Sequence, residues 1–298
     1  MSAPVTVAVE DDRSAFGRTD WSLFLALSLV WGASFLFIKI GLEAFHPGVV
    51  TWVRVSLGAI ALRLLPRNRL QLRGEDRRSV LWLSIIWVAV PFTLFPLAEE
   101  HVSSAVAGML NGATPIFTGL IAGLFFNRRP RGPQLLGIGI GFVGVSLVSL
   151  GASSESPSAL LGVMMGLGAA FFYGIATNMA GPLQRKYGSV PVMRQMLEWG
   201  ALMTTPFGLW GLRDSSFSWE ATGAVTVLGI FGTGYAFALM ATLVGRVGGP
   251  RASFLTYVTT VVSMALGAII LDEPIQQLAI IGVALVILGA FLASRREH

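Results

Sequence analysis

The chain alternates between apolar runs of about twenty residues and short polar connections. The runs cover roughly residues 21–41, 47–65, 80–98, 103–125, 134–150, 159–180, 190–211, 221–244, 252–271 and 277–293. A helix needs ~20 apolar residues to cross ~30 Å of hydrocarbon, and the fifth and tenth runs are the shortest. Most connections are under ten residues, so consecutive helices must pack as antiparallel neighbours. This pattern predicts an all-α membrane protein of ten transmembrane helices, with no soluble domain. A tail covers residues 1–20 and another covers 294–298.

Charge sets the expected orientation. With the N-terminus in the cytoplasm, seventeen basic residues fall in inside segments, among them Arg18, Arg63, Arg77, Arg128, Lys186, Arg246 and Arg296. Only Arg213 falls in an outside loop, and Lys39, Arg54 and Arg194 lie within spans. The positive-inside rule therefore places both termini in the cytoplasm. The N-terminal segment MSAPVTVAVEDDRSAFGRTD has no basic region followed by a cleavable apolar core, so insertion is expected through the first spanning helix. The basic loops are suited to anionic lipid headgroups.

Composition narrows the chemistry. Of 298 residues, 54% are hydrophobic and 12% charged, about half the charged share of a soluble domain. The net charge is +5, and no nucleic-acid-binding pattern accompanies it. There is no cysteine, which excludes thiolate metal sites, iron–sulfur clusters and a cysteine nucleophile. The three histidines, His46, His101 and His298, do not fall at metal-ligand spacing, so neither a metal nor another cofactor is expected. The run GIGIGFVG lies inside an apolar span and is no nucleotide loop. No Walker motif is present, so ATP is not the direct driver of any transport.

The second half of the chain echoes the first. A shift of 145 places Gly137 on Gly282 and Gly144 on Gly289; a shift of 144 places Pro47 on Pro191 and Arg54 on Glu198. Each half, 21–150 and 151–293, holds five predicted helices. Five is odd, so the second half enters the membrane from the opposite side, giving two inverted five-helix repeats as in many secondary transporters. Gly137 and Gly141 form a GxxxG pair suited either to a homodimer face or to a contact between the repeats.

These runs also carry a resemblance. WGASFLFIKIGLEAFHPGVVTWVRVSLGAIAL resembles the opening of an EamA-type member of the drug/metabolite transporter superfamily. SSAVAGMLNGATPIFTGLIAGLFF with LLGIGIGFVGVSLV resembles the close of that family's first repeat, and GAIILDEPIQQLAIIGVALVILGA the close of the second. The likeness covers nearly the whole chain from Trp21. It implies a ten-helix carrier that exports amino acids or other small metabolites, in a bacterial inner membrane. The excess of arginine over lysine hints at a GC-rich bacterium, which agrees. Repeats of the family often end in a Gly-Glu pair. Glu273 supplies that Glu here, whereas the first half has Asn127 and Arg128.

Candidate site residues follow from polar groups at depth. Helix nine carries Ser253, Thr256, Thr260, Ser263 and Gly267 on one face, and helix four carries Gly108, Asn111, Pro115, Thr118 and Ala122 at the equivalent positions. Such faces serve either close packing or a cavity wall. Asn111, with Thr114 beside it, favours the cavity, since an amide has four hydrogen-bonding sites. Pro115 frees a carbonyl nearby. Trp31, Tyr173, Tyr235 and Tyr257 are the deeper aromatic candidates for a substrate pocket.

Among the charges, Lys39 is expected to snorkel toward the outer face. Arg54 lies about 10 Å below it and either faces an outer vestibule or is neutralised by Glu43, Glu99 or Glu100. Glu198 can pair with Arg194 four residues earlier and is the candidate for coupling or gating. The reading that follows is a secondary transporter exporting small metabolites, with amino acids foremost and alternating access as mechanism. Organic-cation efflux is the alternative. A channel lacks a visible charge ring or carbonyl filter, and an intramembrane enzyme lacks a catalytic constellation.

Overall fold

The computed structural model describes residues 17–65, 74–125, 132–153, 158–247, 252 and 254–294. Ser253, Asn127, Arg128 and several loop arginines counted above (Arg13, Arg67, Arg69, Arg73, Arg129, Arg131, Arg251, Arg295 and Arg296) lie outside them. Among the described residues every regular element is helical. In chain order these are α1 (Arg18–Leu42), α2 (Pro47–Arg63), α3 (Gly74–Leu83, the π-helical Ser84–Ala89, and Val90–Glu99), α4 (Ser104–Asn111 and Thr114–Phe125) and α5 (Pro133–Ser153). They continue as α6 (Ala159–Tyr187), α7 (Ser189–Gly211), α8 (Trp219–Val227, the π-helical Leu228–Tyr235, and Ala236–Val247), α9 (Leu255–Ile270) and α10 (Gln277–Ser294).

Among the described residues, six helices are long and apolar enough to cross a membrane: Arg18–Leu42, Asp76–Glu99, Ser104–Phe125, Pro133–Ala152, Ala159–Tyr187 and Trp219–Val247. Leu255–Ile270 and Gln277–Leu292 are shorter apolar helices. The predicted runs 47–65 and 190–211 also fold as helices, α2 and α7, but α2 has only 17 residues and α7 carries Arg194 and Glu198 in its first half. Large apolar side chains such as Phe142, Leu160, Leu202 and Ile269 stand exposed on the surface. Apolar patches of that kind are stable against lipid tails rather than water.

Local chemistry fixes the helix ends. His46 caps α2 by accepting from the Gly48 N–H at 3.0 Å, with Pro47 at the first helical position, where no donor is needed. Ser103 caps α4 through the Val106 N–H at 3.2 Å, and Ser218 caps α8 through the Ala221 N–H at 3.3 Å. Gly188, at φ 82°, turns the chain between α6 and α7 in a conformation that side-chain-bearing residues avoid. Within α4 the helix breaks at Gly112 and Ala113, just before Pro115, which lacks a donor and disfavours helical backbone in the preceding residue. The break is bridged by tighter i→i+3 bonds from Gly112 to Met109 and from Ala113 to Leu110.

Among the contacts that join the halves, two are made by backbone and by a carboxylate. α5 and α10 meet through their glycines. A methyl group on Gly144 would lie 2.6 Å from the Gly282 carbonyl oxygen, one on Gly282 would lie 2.7 Å from the Gly144 carbonyl oxygen, and one on Gly289 would strike Gly137 and Gly141. The glycines that matched at the 145 shift are thus apposed inside the chain, where the missing side chains let backbones touch. Second, Glu273, between α9 and α10, clamps the start of α4. Its carboxylate accepts from the Ser104 N–H at 2.8 Å, the Ser104 hydroxyl at 2.9 Å and the Ala105 N–H at 2.9 Å. These are donors at a helix N-terminus, where an anion is stabilised.

Each contact makes a prediction. Gly144→Val should lower the apparent melting temperature of the detergent-solubilised protein clearly. Gly139→Ala should leave it unchanged, because nothing lies within 4 Å of a methyl group there. Glu273→Ala removes three bonds to one carboxylate and should cost about 3 kcal/mol of stability. Glu273→Gln should recover only part, since an amide offers one acceptor oxygen in place of two. Thermal unfolding of the four variants against wild type reads both.

Candidate functional site

The site is built around a cation that the fold buries. Arg54 sits in the middle of α2 with 6% of its surface exposed. Its Nε donates to the Thr233 hydroxyl at 2.9 Å, and its guanidinium carbon lies 4.0 Å from the centroid of the Phe92 ring. A desolvated cation over an aromatic face gains about 2 kcal/mol. No carboxylate lies within ion-pair distance of Arg54 among the described residues, and no hydrogen bond to its terminal nitrogens is made among them. A guanidinium has five donors and does not lose its proton, so the protein leaves most of this cation's hydrogen-bonding capacity open.

Thr233 reaches Arg54 because α8 is π-helical over Leu228–Tyr235. The wider turn lets the Thr233 hydroxyl donate to the Leu228 carbonyl, five residues back, at 3.1 Å, while its oxygen receives Arg54. The same turn presents the Gly232 carbonyl to the Trp31 indole N–H at 3.1 Å. α2 approaches this closely because Gly58 and Gly229 carry no side chain. A methyl group on Gly58 would lie 2.7 Å from Thr233, and one on Gly229 would lie 3.0 Å from the Arg54 carbonyl oxygen.

A row of aromatics extends from the cation. Phe92 meets Tyr173 edge-on at 6.5 Å, Tyr173 lies 6.0 Å from Phe95, and Phe95 meets Phe35 edge-on at 5.2 Å. The site thus pairs one open cation with an apolar, aromatic wall from α1, α2, α3, α6 and α8. That combination can bind a carboxylate carried on an apolar or aromatic body. At the end of the row lies Glu99, which is completely buried, with neither carboxylate oxygen hydrogen-bonded among the described residues.

Of the residues singled out from sequence, Trp31, Arg54 and Tyr173 come together here. Asn111, Thr114, Thr256, Tyr257 and Thr260 lie along the contact of α4 with α9 and its margin. Thr114 Oγ1 is 3.4 Å from Asn111 Oδ1. The Thr260 hydroxyl donates to its own helix at Thr256, and a methyl group on Gly112 would sit 2.8 Å from Thr260. The matched small faces of α4 and α9 therefore touch each other, with Gly108 against Ser263. Tyr257 is buried beside Phe254. Tyr235 is 36% exposed beside Phe231, apart from the cluster.

Glu198 is half-buried away from Arg54. Arg194 Nε stands 3.5 Å from it along α7, as the i,i+4 spacing predicts, and Arg63 at 4.0 Å. Lys39 does not simply snorkel. Its ammonium donates to the main-chain carbonyls of Glu99 at 2.6 Å and Val102 at 3.4 Å, holding the end of α3. Sequence reasoning did not place Phe92 and Thr233 in the site. Only the π turn aims Thr233, and Phe92 is one of many phenylalanines.

Comparison with known proteins puts a family beside this geometry. A protein of Archaeoglobus fulgidus described as an uncharacterized transporter is 25% identical over 92% of this chain and 99% of its own length. An Escherichia coli protein described as a "probable amino-acid metabolite efflux pump" is 26% identical over 92% of this chain and 94% of its own. A Streptantibioticus cattleyicolor protein described as a "probable terminal-alkyne amino-acid exporter" is 22% identical over 93% of both. A solved crystal structure shares the fold at a TM-score of 0.63 and 18% identity, covering 92% of this chain and 96% of its own. The sequence pattern of the EamA-like transporter family matches twice, over residues 21–150 and 160–295, and the chain belongs to that family.

Proposed function

We propose that the protein exports amino acids or closely related small metabolites across a bacterial inner membrane by alternating access, with Arg54 holding the substrate carboxylate. The observation that carries this reading is the buried Arg54, its guanidinium seated on Phe92 and Thr233 with no carboxylate within ion-pair distance among the described residues. A cation kept that way is matched by an anionic group arriving with a ligand. The aromatic row from Phe92 to Tyr173 and Phe95 suits the substrate's apolar part. The exporter names of the Escherichia and Streptantibioticus relatives agree with this class.

The architecture behind this mechanism is ten spans in two inverted repeats, with both termini cytoplasmic. Three features support the repeat. The family pattern matches the chain twice. The π-helical turns at Ser84–Ala89 and Leu228–Tyr235 begin 144 residues apart, the shift that relates Arg54 to Glu198. The glycines of α5 and α10 that match at 145 face each other. In this reading α2 and α8 form the wall that carries Arg54, and rocking of one repeat against the other exposes the site to each side in turn. The reaction is movement without covalent change, so no catalytic residue is required. Glu198, paired with Arg194 and Arg63, fits a structural or gating role at the opposite depth.

The test is export from cells expressing wild type, Arg54→Lys and Arg54→Gln at matched membrane levels, with the medium profiled by mass spectrometry. Wild type should enrich one class of carboxylate-bearing metabolite over an empty-vector control. Losing one charge-assisted pair of about 2 kcal/mol should lower that export at least about tenfold in Arg54→Gln. Arg54→Lys should fall between, because an ammonium keeps the charge but not the planar fork. Undiminished export by Arg54→Gln overturns the role of Arg54, and enrichment of organic cations instead favours the cation-efflux reading.

A further inference from the structure

We infer that Glu99 is a proton-binding site whose occupancy controls the end of the carrier where α3 meets α4. The closed end holds Glu99 as a carboxylic acid, and opening releases the proton and leaves a hydrated carboxylate. This rests on the carrier reading above, in which that end faces the periplasm.

The inference starts from how the neighbouring charges are arranged. Lys39 on α1, Arg54 on α2 and Glu273 in the α9–α10 connection are the charges that act on Glu99. None of them pairs with its carboxylate among the described residues. Lys39 donates to the carbonyls of Glu99 and Val102, not to the carboxylate. Arg54 is turned to Thr233 and Phe92. Both oxygens of Glu273 are held by Ser104 and Ala105. On α6 the ionisable group near this end of the row is Tyr173, 6.0 Å from Phe95. Along the connection after α3, Glu100 is exposed and His101 half-buried. Glu99 therefore has no hydrogen-bond donor among the described residues and is 0% exposed, in a segment where Val102 is 5% and Ser104 0% exposed.

A bare carboxylate in such a place is costly, whereas its acid form buries at a fraction of that cost. The burial is too complete for a substrate ammonium to reach these oxygens, but a proton needs no space. Closing this end and protonating Glu99 are therefore linked, and each favours the other. The step forms one O–H bond to a carboxylate oxygen, with the proton taken from water on that side and returned there on opening.

The chain has no cysteine, so one introduced thiol reports alone. Val102→Cys places it at a buried position of this end, in the connection just after Glu99, and Ser216→Cys places it on an exposed loop at the same end. Labelling of intact cells with a membrane-impermeant maleimide, between about pH 5 and about pH 8, gives a rate ratio of the first site to the second. The ratio removes the reagent's own pH dependence. It should rise several-fold with pH when Glu99 is present. In Glu99→Gln, a neutral near-isostere of the acid, it should be flat and stay at its low-pH value. Glu99→Asp should restore the pH dependence.

A ratio that still rises in Glu99→Gln, or is flat with Glu99 intact, overturns the inference. A misfolded Glu99→Gln protein would label rapidly at all pH values, and the Glu99→Asp titration then decides. Labelling of Ser216→Cys only in inverted vesicles would overturn the orientation but not the switch. The same ratio, read in those vesicles, still tests Glu99.

Discussion

A guanidinium cannot give up its proton, so a fold that buries one inside apolar helices must answer for its charge. Arg54 is answered by a ring and a hydroxyl, not by an acid. Those partners impose most of the local architecture. Thr233 is in reach because α8 widens to a π turn. The turn is in reach of α2 because Gly58 and Gly229 remove the side chains between them. Phe92 is fixed because the Thr51 hydroxyl, one turn before Arg54 on α2, donates to its carbonyl at 2.9 Å. The result gives the cation two partners while leaving its terminal nitrogens without a hydrogen bond among the described residues.

The same economy of backbone contact recurs between the halves. In a membrane, helices gain little from hiding apolar surface, since lipid is as apolar as they are, and close packing has to supply the association. α5 and α10 meet glycine to glycine, and α4 and α9 meet through glycines, serines and threonines. Serine and threonine hydroxyls along these helices mostly return to carbonyls of their own helix, as at Thr118, Thr259 and Thr260. They fill small spaces, and none of their hydroxyls is buried without a partner among the described residues. Charge is concentrated at helix ends: Asp20 with Arg246, Asp76 with Lys186 and Tyr187, and Glu273 with α4.

Much of this was legible in the residues. The apolar runs located most helix ends within a few positions, though α3 begins earlier, at Gly74, and α6 runs on to Tyr187; the glycines matched by the repeat shift turned out to be apposed. Arg54 announced itself as a charge inside an apolar run, and the i,i+4 spacing of Arg194 and Glu198 foretold their pairing. What was illegible depends on rotation and on distant segments. Tyr235 has the depth of a pocket residue, but depth does not set which side of a helix faces inward. It stands at the end of a π turn that rotates the face, and it is partly exposed. Thr233 looked like an ordinary threonine for the same reason. Glu99 reads in sequence as the polar end of a span. Its burial is produced by α1, α4 and α6 closing around it, which no local pattern records.

Recognition of a carboxylate by Arg54 in a carrier is open to a direct test by counterflow in proteoliposomes. Vesicles preloaded with a mixture of unlabelled amino acids are presented with labelled amino acids, alone or with an excess of the corresponding amino-acid amides, which lack the carboxylate. Label should accumulate transiently, driven by the internal load, with the amides failing to compete, and that accumulation should be lost in Arg54→Gln. Uptake indifferent to the internal load, or amides competing as well as the acids, would contradict that recognition.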